Sequence, residues 1–256
     1  ASNESARSIC QFTTYCRSTT ASAVEDADQA LAAYYEKGLD LPLVAKPDLG
    51  CRGAGVRLIN HESELVDYLQ AFPSGAKLLL QERSLYQAEA GVFYVRYPGQ
   101  KHGKIISITL KYTPWVIGDG ISSLKELILA DKRAGKLSHI YLDRHQDKLD
   151  SVLEPGQAFR LAFAGSHSRG SIFRNGNQYI TDALSKSLDT FFDGVPGYHF
   201  GRLDLKFKNI DDLMQGKHYQ VLEMNGASSE ATHIWDSRTS LFEAFHTLLK
   251  QYQILF

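Results

Sequence analysis

Cysteine is scarce in this chain: Cys10, Cys16 and Cys51 are the only three among 256 residues. An odd set with no CxxC spacing excludes a disulfide framework and predicts reduced thiols in a cytoplasmic protein. No apolar run approaches the length that spans a bilayer, so a membrane-embedded chain is not expected. Charge of either sign is not in excess, because a net charge of -1 leaves no overall electrostatic footprint for nucleic acid or a membrane surface. Internal repeats and low-complexity segments are missing too. No convincing Ser/His/Asp or Cys/His set stands out, and His139 and His145 are too sparse to suggest a metal site. The opening Ala1-Ser2-Asn3-Glu4-Ser5 has neither a Met nor a charged-then-apolar leader, which predicts an excised piece with a domain upstream. What is present is ordinary: 43% hydrophobic and 22% charged residues, enough for one large core or two lobes.

The most informative stretch is Gly201-Arg202-Leu203-Asp204-Leu205-Lys206-Phe207, where apolar and polar residues alternate with the period of a half-buried strand. A second strand reads through Tyr219-Gln220-Val221-Leu222-Glu223-Met224-Asn225, with Gly216 in a short polar connection between them. An antiparallel pair is the economical arrangement, and pairing Lys206 with Val221 sets Asp204 opposite Glu223. Like charges directly opposite disfavour a sheet by about 0.2–1 kcal/mol unless a cation neutralises them. Asn225 adds an amide oxygen on the same face, and Arg202 and Lys206 stand beside the pair. Hard oxygens in this setting suit Mg²⁺ that also holds phosphate oxygens. A plain solvated strand face fits the same two segments equally well.

Ahead of these strands, Ser22 and Glu25 form a capping box that opens a helix over 22–37, with Val24, Ala27, Leu31 and Tyr34 on one stripe. The strand Leu43-Val44-Ala45-Lys46 ends in a lysine. It is followed by glycines at 50, 53 and 55 and by a second strand, Val56-Arg57-Leu58-Ile59. Such a loop turns backbone N–H groups toward a ligand, and Lys46 and Arg52 supply charge for phosphates. The GxxxxGK[ST] order of a Walker loop is absent, and a glycine-rich hairpin with one strand-end lysine is the bland alternative. Asn60 is expected to cap a helix through about Phe72. The strand Lys77 to Arg83 then pauses before another begins at Glu89, a spot for a lobe boundary where strand backbone reads a purine edge. Glu82 and Glu89 offer acceptors for an exocyclic amine and for ribose hydroxyls, or are ordinary surface glutamates. Ser123 and Glu126 box a further helix, residues 131–156 read as irregular, and Ser166 to Ser171 form a donor-rich loop. Thr181 opens a helix that stops at Gly194 and Pro196. A last amphipathic helix runs through Leu241, Phe245, Leu248 and Leu249.

The order of these motifs, from Lys46 and its glycine loop through Gln81-Glu82 and Glu89 to Gly201-Arg202-Leu203-Asp204 and Glu223-Met224-Asn225, resembles the ATP-grasp superfamily, in particular its carboxylate-amine ligases. The resemblance implies an α+β ATP-grasp fold, two lobes with largely antiparallel sheets clasping ATP, split as residues 1–85 and 86–256. It also implies catalytic roles for Arg202 and Lys46. Lys46, Gly53, Gly55, Gln81, Glu82, Arg83, Ser84 and Glu89 would bind ATP. The metal ligands it implies are Asp204, Glu223 and Asn225, for Mg²⁺, two ions, with Mn²⁺ able to substitute. Ser168, Arg169 and Arg174 become candidates for an anionic substrate group. The activity implied is ATP-dependent joining of a small carboxylate to a small amine through an acyl phosphate. An ATP-grasp phosphotransferase and a nucleotide-binding module of a larger protein are the alternatives. Family members usually carry a preceding α/β domain that completes the acceptor site, often in a homodimer. Only about forty residues precede Lys46 here, and Arg7 is the weak choice for the second, upstream phosphate-binding cation.

Overall fold

The computed structural model describes residues 9–50, 53–163, 165, 167 and 170–256. Alternating side chains near the N-terminus build a four-stranded antiparallel sheet from β1 (Phe12–Cys16), β2 (Leu43–Pro47), β3 (Arg57–Ile59) and β4 (Lys77–Glu82), in the order β1-β4-β2-β3. Leu43, Ala45, Ile59, Leu78 and Leu80 point to one face. There they share a core with Ala27, Leu31 and Tyr34 of α1 (Ala23–Tyr35) and with Leu65 and Leu69 of α2 (Glu62–Ala71). Because β2 and β4 pair Val44 with Gln81 and Lys46 with Leu79, these four side chains take the opposite face. The Ser22–Glu25 capping box starts α1 as expected, although Val24 lies outside the stripe and is exposed. At α2 the cap is His61 rather than Asn60. The Glu64 carboxylate accepts from the Asn60 backbone N–H at 2.7 Å, fixing the entry one residue later than the side-chain pattern suggested.

The chain then enters β5 (Ala88–Val95) and β6 (Lys104–Tyr112). By contact density it separates into two compact units, Ala1–Leu110 with Phe173–Phe256, and Lys111–Ile172. The smaller unit holds the two-stranded sheet of β7 (Trp115–Ile117) and β8 (Ala158–Arg160), with α3 (Leu124–Ala130) and α4 (Ser138–Arg144). The Ser123–Glu126 box caps α3. Residues 131–156, expected to be irregular, instead contain α4 and two 3₁₀ turns, Ala134–Leu137 and Gln146–Lys148. Their charged residues hid a sparse apolar stripe, since Ala134 and Tyr141 are buried against Leu124, Ile128 and Leu161.

Returning to the larger unit, β9 (Ile172–Asn175), α5 (Asp182–Asp193), β10 (Phe200–Phe207), α6 (Ile210–Met214), β11 (Tyr219–Asn225) and α7 (Leu241–Leu255) complete the chain. A five-stranded sheet forms in the order β11-β10-β5-β6-β9. Its core face carries Ala90, Val92, Leu203, Leu205, Phe207, Tyr219 and Val221, packed under Leu184, Leu188 and Phe192 of α5. The expected boundary near residue 85 falls between the two sheets, both of which belong to this unit. Among the described residues, no helix is long and apolar enough to cross a membrane.

Pairing of β10 with β11 differs from the expected register in one instructive way. Asp204 does face Glu223, but Lys206 faces Gln220 and Leu205 faces Val221, so Leu222 is an extra residue, a β-bulge. The reason lies in parity. Tyr219, Val221, Glu223 and Asn225 are all odd-numbered, and a regular strand would put all four on one face. The extra residue lets Tyr219 and Val221 enter the core while Glu223 and Asn225 join Arg202 and Asp204 on the other face.

Leu205 is fully buried at the centre of this core. Truncation in Leu205→Ala is expected to cost about 2–5 kcal/mol in chemical denaturation, from lost burial plus the cavity left behind.

Candidate functional site

The polar face of β10 and β11 presents Asp204 opposite Glu223 and Arg202 opposite Asn225. Directly opposed residues have Cβ atoms about 5 Å apart, close enough for two carboxylates to share one cation. Arg202 already grips Asp204 in a fork, Nε to Oδ1 at 2.9 Å and Nη2 to Oδ2 at 3.3 Å, and it donates from Nη1 to the Glu230 carbonyl at 3.0 Å. Burial works against the Arg202 charge. The adjacent Asp204 carboxylate, with Glu223 and Glu230, outweighs this and holds the guanidinium above its ordinary pKa. The Asn225 amide donates to Asp204 Oδ2 at 3.4 Å.

Behind the pair, β5 contributes Gly91 opposite Asp204. A Cβ at this position would stand 3.0 Å from Arg202 Cδ and 3.2 Å from Asp204 Oδ1. The glycine therefore leaves the space in which the fork forms. Among the described residues no group of three or more His, Cys, Asp or Glu side chains could hold a metal ion. The candidate set is two carboxylates and an amide. All three supply hard oxygens once the Asn225 amide turns its oxygen inward, so the residues fit Mg²⁺ in their chemistry.

Lys46 reaches this place from the other sheet. Its Nζ donates to Gln81 Oε1 at 2.9 Å and to the Leu222 carbonyl at 3.3 Å, one residue before Glu223. Gln81 Nε2 donates to the same carbonyl at 3.2 Å. The carbonyl both groups use belongs to the bulged residue, which has no partner in the β10 register. Burial lowers the Lys46 pKa and the Glu223 charge partly restores it. The chain's N-terminal part adds one more tie, Cys10 N–H to the Val221 carbonyl at 3.0 Å, and Glu82 N–H extends the β1–β4 ladder by donating to the Gln11 carbonyl at 2.8 Å.

The segment leaving β4 is less open than a free strand end. Ser84 Oγ donates to Gln220 Oε1 at 2.8 Å and the Leu85 N–H donates to the same oxygen at 3.1 Å, so one amide from β11 holds the whole turn. The sequence reading missed Gln220. Its signal was a polar residue alternating with Tyr219 and Val221, which a regular strand would have placed outward. A cavity of about 440 Å³ opens beside the turn, lined in part by Lys37, Leu39, Glu82, Arg83 and Leu85, within the usual range for small-ligand pockets. Glu89 sits on the polar face of β5 opposite Lys206. Gly53 and Gly55 both take left-handed backbone in the turn from β2 to β3, with φ of 71° and 72°. At Gly55 a Cβ would also strike Pro47 Cγ at 2.7 Å.

The structure thus brings together Lys46, Gln81, Arg202, Asp204, Glu223 and Asn225, and sets Glu82, Arg83 and Ser84 beside the cavity. Arg174 is paired with the buried Asp236, its Nη1 2.9 Å from Oδ1. Arg7, Cys51, Arg52, Ser166, Ser168 and Arg169 lie outside the described residues.

Gln220→Leu removes the acceptor of two donors at once. We expect a stability loss of about 1–3 kcal/mol for each donor left unsatisfied, read by thermal unfolding, whereas an unchanged melting temperature would show the turn to be held by other contacts.

No family model matches this chain, and no curated protein matches it. Among solved structures it is similar to a bifunctional glutathione synthetase from Pasteurella multocida, with 14% identity and a TM-score of 0.45 over 97% of this chain and 35% of that one. It is similar to the VanG D-Ala:D-Ser ligase from Enterococcus faecalis, at 13% identity and TM-score 0.48 over 97% and 58% of the two chains. The ATP-grasp ligase PsnB is similar at 13% identity and TM-score 0.43, over 96% and 56%. This chain therefore spans between about a third and three fifths of the length of those proteins.

Proposed function

We propose that this chain is an ATP-grasp ligase domain that uses ATP to join a carboxylate to an amine. The observation that carries the reading is the meeting of Lys46, from the four-stranded sheet, with the Asp204–Glu223 pair of the five-stranded sheet, at the carbonyl of Leu222. A desolvated lysine beside two opposed carboxylates, with an arginine already neutralising one of them, is an arrangement for polyphosphate and a divalent cation together.

In this reading Asp204, Glu223 and Asn225 would hold Mg²⁺, which would supply charge neutralisation for the phosphates. Lys46 and Arg202 offset the charge that grows on the transferring phosphoryl group. Backbone N–H groups around Gly53 and Gly55 face the phosphates. Gln81, Glu82, Arg83 and the backbone at Ser84 receive the adenine, and Glu89 the ribose; the Ser84 hydroxyl already serves Gln220. The substrate carboxylate oxygen attacks the γ-phosphorus and ADP leaves, giving an acyl phosphate. The amine nitrogen then attacks the acyl carbon, inorganic phosphate departs and the amine loses a proton. Catalysis by positioning and electrostatics needs no protein nucleophile. An upstream domain of the same protein would supply part of the acceptor site.

Glu223→Gln keeps size and strand pairing while removing one carboxylate charge. Phosphate release that requires ATP, an acid and an amine together should fall by orders of magnitude, with circular dichroism and melting temperature unchanged. Turnover equal to the parent, or a stable phosphorylated product in place of the amide, would contradict the assignment.

A further inference from the structure

Helix α7 is docked by a mixed side, Glu243, Thr247 and Gln251 together with Ala244, Leu248 and Ile254. Glu243 accepts from Asn175 Nδ2 at 3.2 Å, Gln251 accepts from the Ala231 N–H at 3.2 Å, and Ile254 packs against Phe93, Val95 and Ala231. A helix on a self-contained domain turns its apolar stripe inward. Here the stripe faces out: Phe242 is 80% exposed, Phe245 57%, Leu249 63%, Tyr252 58% and Phe256 98%. Their spacing is three, four, three, four in sequence, the seam along which two helices interlock. Leu241 and Leu255 widen the same face and are also exposed.

The seam has a symmetry of its own. Counted from Leu249, aromatic residues stand seven and four positions before it, and three and seven after it. Read from either end the order is aromatic, aromatic, leucine, aromatic, aromatic. An antiparallel partner of the same sequence sets Leu249 against its own copy, Phe245 against Tyr252 and Phe242 against Phe256. A two-fold interface must be self-complementary in this way, residue i meeting j while j meets i. Charge does not oppose it, because Lys250 and Glu243 are the only residues of the helix charged at neutral pH, and Glu243 is turned to Asn175. With aromatic side chains offering about 150–250 Å² each, the five exposed residues present on the order of 700 Å² per copy. Two copies reach the area of specific stable interfaces, roughly 1,200–2,000 Å² in total. A membrane surface fits less well, since helices that lie on membranes are rich in Lys and Arg, and this one has Lys250 alone.

We propose that α7 is a homodimer interface, pairing antiparallel with α7 of a second copy about a two-fold axis through Leu249. The test uses sedimentation equilibrium and cysteine cross-linking of this chain in a Cys16→Ser, Cys51→Ser background, with oxidised glutathione as the oxidant. The parent should sediment as a dimer, and Phe245→Ser with Leu249→Glu as a monomer with unchanged circular dichroism, since both side chains are exposed. Leu249→Cys alone should form a covalent dimer. Phe242→Cys and Phe256→Cys should each fail alone and cross-link when mixed. A monomeric parent, a dimer that survives the double substitution, or cross-linking of Phe242→Cys with itself as a parallel pair would each overturn the proposal. So would a monomer that co-sediments with phosphatidylcholine–phosphatidylglycerol vesicles, which would assign the face to a membrane.

Discussion

The carbonyl of Leu222 is the point on which the site depends. A regular β11 would have spent that oxygen in the ladder or turned it away, and the bulge releases it to accept from both Lys46 and Gln81. One inserted residue therefore does two things. It switches the phase of the strand, so that Val221 is buried and Glu223 faces the polar side, and it ties the four-stranded sheet to the five-stranded sheet beside the carboxylate pair. Gln220 repeats the device two residues earlier, fixing the turn after β4 through Ser84 and Leu85. The geometry of the candidate site is set by backbone irregularity as much as by the charged residues in it.

Electrostatics on this face are balanced without being quenched. Asp204 is held by Arg202, and Glu223 stands exposed, its charge acting on the half-buried Lys46. Opposed carboxylates destabilise a sheet slightly, and partial removal of Lys46 from water disfavours its charge. Such an arrangement has a purpose if a polyanion and a cation arrive together, each compensating the charges the other leaves. The absence of a side chain at Gly91 leaves room for Arg202 to fold over Asp204.

Much of this was legible in the sequence. Period-two alternation placed β10, capping boxes placed the starts of α1 and α3, and the opposition of Asp204 to Glu223 followed from strand pairing. The route to that opposition was wrong by one residue, because pairing Lys206 with Val221 assumed an unbroken strand. A signal was present, since Val221 and Glu223 share parity but not polarity. Other misses have plainer causes. Helical turns in 131–156 were masked by charged residues around a sparse apolar stripe. For α7 the amphipathic pattern was visible in sequence, but which side packs inward was decided by hydrogen bonds from Asn175 and Ala231, contacts far apart in the chain. Tertiary polar bonds of this kind leave no local trace.

We propose that Lys46 and the Asp204–Glu223 pair together make one site for ATP and Mg²⁺. A thermal-shift titration of this chain with ATP, with and without Mg²⁺ and alongside Lys46→Met, tests it most directly. A saturable rise that needs both ligands is predicted, about 2.7 kcal/mol at a hundredfold excess over Kd, and it should be lost or strongly weakened in the Lys46 variant. No shift, or an equal shift without Mg²⁺ and in the variant, would contradict the account.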